Sequence, residues 1–106
     1  GELKFNSSLG DLVDSLHPTP AVCGLPKEKA IKFILENEAY DRAYYTGYLG
    51  ELNIDKCTSL FVNLRCMQLN NNTASIYIGG GITKDSISKN EWEETVSKAE
   101  VMKKVL

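Results

Sequence analysis

Residues 44–81, YYTGYLGELNIDKCTSLFVNLRCMQLNNNTASIYIGGG, decide the architecture, because they bring aromatic and branched side chains together with glycine and asparagine punctuation. Such side chains fit a pleated, half-buried surface. Residues 44–53 read as a glycine-punctuated strand, 59–69 as a long apolar strand and 74–78 as a third. NIDK at 53–56 and NNN at 70–72 are turn signals between them. Three sequential strands joined by short loops predict an antiparallel meander. Strand alternation puts Leu60, Val62, Leu64 and Cys66 on one face and Phe61, Asn63, Arg65 and Met67 on the other. Arg65 is thus expected among mostly apolar neighbours, where a guanidinium calls for an anionic partner, either a structural carboxylate or a ligand.

Helices flank this block. After a weakly alternating segment at 2–6, read as a short strand, Ser7 or Ser8 suits a cap for a helix carrying Leu9, Leu12, Val13 and Leu16. That helix must stop before Pro18. Pro26 and Glu28 suit the first turn of a second helix, with Ala30, Ile31, Ile34 and Leu35 as its apolar face, running to about Ala39. Residues 86–106 predict a closing helix capped by Ser88 or Asn90, with Trp92, Val96, Ala99, Met102 and Leu106 near one side. The fold class is therefore α+β, antiparallel strands with flanking helices, in one domain over residues 1–106.

Between the first two helices lies HPTPAVCGLP (17–26), which holds all three prolines and the only histidine of the chain. Each proline pushes the residue before it out of the α region, so His17, Thr19 and Leu25 are expected to be extended and the loop stiff. His17, held between Leu16 and Pro18, reads as structural rather than as an acid or base.

The composition narrows the partners. A chain of 106 residues with 42% hydrophobic and 25% charged residues and a net charge of -2 has the make-up of an ordinary soluble domain. It lacks the basic excess that contact with a phosphate backbone needs, so nucleic acid is excluded. No apolar run nears the ~20 residues of a membrane span and no secretory signal opens the chain, which predicts no membrane partner and a cytoplasmic location. Cys23, Cys57 and Cys66 are odd in number, lack C-x-x-C spacing and read as free thiols in a reducing compartment. The sequons at Asn6 and Asn71 carry no weight without a secretory signal.

Two places have the residue types for chemistry. Glu91, Glu94, Thr95 and Lys98 recur at i, i+3, i+4 and i+7, so two carboxylates and an ammonium share one face of the last helix, beside its apolar side. Carboxylates one turn apart suit a hard cation and the ammonium an anionic ligand; a solvated, salt-bridged surface uses the same pattern. Gly79, Gly80 and Gly81, after a strand, offer backbone amides to a carboxylate or phosphate, or simply make a turn.

LHPTPAVCGLP, YDRAYYTGYLGELN, FVNLRCMQL, IYIGGGI and EWEETVSKAEVM, in that order, resemble the C-terminal part of the chorismate-utilising enzymes, most closely the isochorismate synthases. The resemblance covers about residues 9–106, and HPTPAV followed by G-x-P looks like the isochorismate synthase form of the loop. It implies a fragment of the larger α/β chorismate-utilising fold. It also implies chorismate as substrate and Mg²⁺-dependent addition of water at ring carbon 2 with loss of the 4-hydroxyl, in menaquinone or siderophore biosynthesis.

By the same resemblance, Glu94 is a Mg²⁺ ligand, Glu91 a carboxylate near the ion, and Lys98 lies near the substrate carboxylates. Arg65 and Tyr45 are the pair that receives the enolpyruvyl carboxylate, Ala21 and Val22 contact the substrate, and Gly79 and Gly80 donate backbone N–H groups to the ring carboxylate. Cys23 departs from the glycine or small residue often found there. The family's general-base lysine, general-acid glutamate and remaining metal carboxylate belong upstream, so no catalytic acid or base is expected in this chain. Gly1 in place of an initiator methionine is read as the start of a piece, inactive alone and prone to self-association through uncovered apolar surface. The competing readings are a salicylate, anthranilate or aminodeoxychorismate synthase, or a non-catalytic binding module that keeps the fold.

Overall fold

A computed structural model describes residue 6 and residues 8–106. The chain divides into two compact units, Gly1–Tyr40 and Asp41–Leu106. The strand expected over 2–6 falls, apart from Asn6, outside the described residues.

The first unit is helical. Ser8 caps α1 (Leu9–Leu16): the Asp11 N–H donates to its Oγ at 3.1 Å, and the helix stops as His17 turns extended ahead of Pro18. Leu9, Leu12 and Val13 are half-buried, whereas Leu16 is exposed. The proline loop is not merely an extended connection. Extended Thr19 leads into a single helical turn, α2 (Pro20–Cys23), with Pro20 at its start, where a missing N–H costs no helical bond. Gly24 ends the turn, its N–H donating to the Pro20 carbonyl at 2.9 Å. α3 (Lys27–Asn37) follows Pro26, packs against α2 and ends two residues before the expected Ala39, with Ala30, Ile31 and Ile34 half-buried and Leu35 turned out. Lys27 Nζ donates to the His17 carbonyl at 2.8 Å, which ties the two ends of the loop together.

The second unit departs from the expected meander. It has four strands in two separate antiparallel hairpins, β1 (Tyr48–Ile54) with β2 (Cys57–Val62), and β3 (Cys66–Asn70) with β4 (Thr73–Tyr77). Asp55 and Lys56 form the first two-residue turn, both at positive φ as a type I′ turn requires. Asn71 is left-handed in the second, Asn71–Asn72. An extra residue in β1 makes a bulge near Asn53, whose N–H is taken by Thr58 Oγ1 at 3.2 Å.

The segment 59–69 is thus not one strand, because pleating stops at Val62 and Arg65 takes a left-handed φ of 49°. Residues 44–47, read as the start of a strand, are a turn instead. The Thr46 N–H donates to the Asn63 carbonyl at 2.8 Å, and the Asn63 N–H to the Gly47 carbonyl at 2.7 Å. These bonds satisfy backbone groups that a continued strand would have offered to a third neighbour.

α4 (Ser88–Lys103) closes the unit and packs against β4. It begins at Ser88 with Ile87 in the cap position and no side-chain cap bond, and stops short of Leu106. Its burial departs in part from the expected one: Ala99 and Met102 keep the expected side, but Trp92 and Val96 do not. Glu91, Thr95, Lys98, Ala99 and Met102 are half-buried, while Trp92 and Val96 are exposed, Trp92 by 70%. The only buried side chains among the described residues are Tyr45 and Thr46, at 8% and 7% exposure. The packing centre of this unit is therefore a turn rather than a strand.

Candidate functional site

The turn before β1 delivers Tyr45. The Asp41 carboxylate accepts the Ala43 N–H at 2.8 Å, and the Tyr45 N–H donates to the Arg42 carbonyl at 2.8 Å. The Asn63 side-chain amide donates to the Tyr44 carbonyl at 2.9 Å. Ala43 and Thr46 both sit at positive φ, 50° and 68°. For a β-branched residue that is an uncommon conformation, held by the bonds around it.

β4 runs out at Tyr77 into the glycines. A Cβ on Gly79 would collide with the Tyr45 hydroxyl, so the absence of a side chain there makes room for the phenol. The Gly79 carbonyl accepts a hydrogen bond from Lys98 Nζ at 3.3 Å, and the same ammonium pairs with the Glu94 carboxylate. The Glu91 carboxylate stands beside Gly80, 3.5 Å from where a Cβ would lie. Tyr45, Gly79, Gly80, Glu91, Glu94 and Lys98 thus meet at the glycine end of β4, assembled from a turn, a strand end and one helical face.

Charge organises this corner. The hydrogen bond from Lys98, and then its charge, hold the Glu94 carboxyl below the ordinary carboxylate range; desolvation opposes the shift and the Arg65 charge adds to it. Arg65 is exposed in the break between β2 and β3, not enclosed by apolar side chains as the alternation predicted, and Glu94 is the carboxylate that feels it. Ala21 and Val22 lie in the other unit, on α2, Ala21 exposed and Val22 half-buried.

A family model described as "chorismate binding enzyme" matches residues 1–106. The chain belongs to the chorismate-binding enzyme family. Among its relatives, the vibriobactin-specific isochorismate synthase of Vibrio cholerae is 40% identical over 78% of this chain and 21% of its own length. Isochorismate synthase MenF of Bacillus subtilis is 36% identical over 96% of this chain and 22% of its own. Anthranilate synthase component 1 of Bacillus pumilus is 38% identical over all of this chain and 21% of its own. The chain spans about a fifth of the length of these relatives. No solved structure matches it significantly.

Sequence reasoning missed Arg42, Asn63 and Tyr77, which surround or brace Tyr45. The Arg42 guanidinium carbon stands 5.8 Å from the Tyr45 ring centroid, and Tyr77 stacks on Tyr45 with centroids 5.7 Å apart. Only the short interval from Arg42 to Tyr45 hinted at this. Asn63 and Tyr77 are brought in by chain reversals that no local pattern announces.

Proposed function

We propose that the protein carrying this chain is an isochorismate synthase, converting chorismate to isochorismate with Mg²⁺ and with water as the nucleophile. The observation that carries the reading is the meeting of a phenol, an ammonium and two carboxylates at the bare backbone of Gly79 and Gly80. A small dianion calls for positive charge against its carboxylates and for glycines that let a ring approach the backbone; Lys98, Arg65 and a cation held by the two glutamates would supply that charge. Tyr45 and Arg65 receive the enolpyruvyl carboxylate, Lys98 faces the substrate's negative charge, and the Gly79 and Gly80 amides hold the ring carboxylate.

Glu94 and Glu91, one helical turn apart beside the glycines, are donors of the hard oxygen type that Mg²⁺ prefers. Among the described residues no third histidine, cysteine or acid joins them in a metal-binding group, and by the family resemblance a further carboxylate for the ion would come from outside this chain. When bound, Mg²⁺ supplies positive charge against the ring carboxylate. In the reaction a C–O bond forms at ring carbon 2, the C–O bond at carbon 4 breaks and the ring double bonds shift. The attacking water loses a proton and the departing hydroxyl gains one.

Water rather than ammonia is favoured by the HPTPAV loop and by the isochorismate synthases among the relatives. Chromatography of the products from the full-length protein with chorismate and Mg²⁺ tests it: isochorismate is expected, and anthranilate or aminodeoxychorismate as the main product overturns it. Glu94→Gln is expected to lower turnover at limiting Mg²⁺ about 100-fold while leaving the thermal midpoint unchanged.

A further inference from the structure

The Tyr45 phenol is aimed by a device in its own unit. Tyr77, the last residue of β4, is paired with Cys66 across the second hairpin. Its ring stacks on Tyr45 at an interplanar angle of 28°, and its hydroxyl donates to Gln68 Oε1 at 3.1 Å, two residues along β3. The stacking ring is therefore anchored at its far end as well as at its Cα. Arg42 provides a second restraint. Its guanidinium lies within cation–π reach of the Tyr45 ring, and its Nη1 donates to Thr46 Oγ1 at 3.4 Å, on the neighbouring residue of the same turn. Gly79, two residues beyond Tyr77, leaves the space that the Tyr45 hydroxyl fills. One strand end thus carries both the stacking ring and the gap for the phenol.

We propose that Tyr77 and Arg42 are positioning residues that hold the Tyr45 hydroxyl where the substrate carboxylate binds. This rests on the reading of Tyr45 as a carboxylate-binding group. Neither side chain touches the substrate. Their contribution passes through Tyr45, so it is felt in substrate affinity and vanishes once the Tyr45 hydroxyl is gone.

Steady-state kinetics of the full-length protein with chorismate, combined with a double-mutant cycle, tests this. Tyr45→Phe is expected to raise KM about tenfold through loss of a hydrogen bond to a charged group. Tyr77→Leu should raise KM about fivefold, with kcat within about twofold of the parent, since an aromatic pair is lost and the phenol remains but is no longer aimed. Tyr77→Phe keeps the ring and should behave like the parent. In the Tyr45→Phe background, Tyr77→Leu should add nothing.

Arg42→Gln should show the same KM-only effect and the same non-additivity, and it decides the matter if Tyr77→Leu does not fold. Losses that simply add to that of Tyr45→Phe overturn the proposal. So does parental KM in both Tyr77→Leu and Arg42→Gln while Tyr45→Phe is impaired, a result that leaves the reading of Tyr45 standing. Parental KM in Tyr45→Phe itself overturns the reading of Tyr45, and the positioning proposal with it.

Discussion

The loop at 17–26 and the turn at 42–47 are both stiff, and they achieve it by opposite means. In the first, covalent restriction dominates: prolines fix φ, Thr19 is extended, and Pro20 starts a helical turn that Gly24 ends. In the second there is no proline. Three hydrogen bonds link the turn to Asn63, two backbone bonds and the Arg42–Thr46 side-chain bond close it on itself, and two left-handed non-glycine residues are held by them. Covalent stiffness is written locally. Hydrogen-bonded stiffness depends on a partner that lies some twenty positions away in sequence.

That contrast ranks three substitutions, each read by thermal or urea unfolding. Gly24→Ala should have the largest effect. Gly24 lies at φ 115°, ψ -177°, a region nearly exclusive to glycine, and an added Cβ would stand 3.3 Å from the Ala30 Cβ. A loss of about 2 kcal/mol is expected. An unchanged midpoint would show that the proline loop is free to relax and would remove the contrast.

Asn63→Ala comes next. It deletes the side-chain bond to the Tyr44 carbonyl while leaving the two backbone bonds, and should cost about 1 kcal/mol. It should also raise KM for chorismate with little change in kcat, since Tyr45 rides on that turn. A stability loss without any change in KM would separate the turn from the site.

Ala43→Gly should have the smallest effect and the opposite sign. Ala43 is exposed at a φ of 50°, so glycine relieves backbone strain there and loses no packing, with a net gain of about 0.5 kcal/mol after the added freedom of the unfolded chain. A loss instead would mean that the left-handed conformation at 43 is not a source of strain.

What was legible followed the same divide. Ser8 as a cap, the stop before Pro18 and the turn after Ile54 are set by a few adjacent residues, and they stand where the sequence put them. The α+β class was legible too, because periodicity of two and of 3.6 residues is local. The unbroken strand at 59–69 was not. Its apolar run supports pleating throughout, and only the pairing of Asn63 with the 44–47 turn, a distant event, ends the strand early. The helix α4 was legible, but the place of Trp92 and Val96 on it was not, for a related reason. Its helical spacing correctly put Glu91, Thr95 and Lys98 on one side, but period alone does not say which side meets β4. The meeting of Tyr45 with Gly79 had no local sign at all, and entered through resemblance to whole enzymes.

The orientation of α4 has an optical consequence. Trp92 is the only indole of the chain, and it is exposed at the flank of the helical face that half-buries Glu91, Thr95 and Lys98. Its emission is accordingly that of a solvated indole. Anything that covers this flank of α4 is expected to shift that band toward the blue. The chain therefore carries a native gauge of what covers that flank of its last helix, with no label attached.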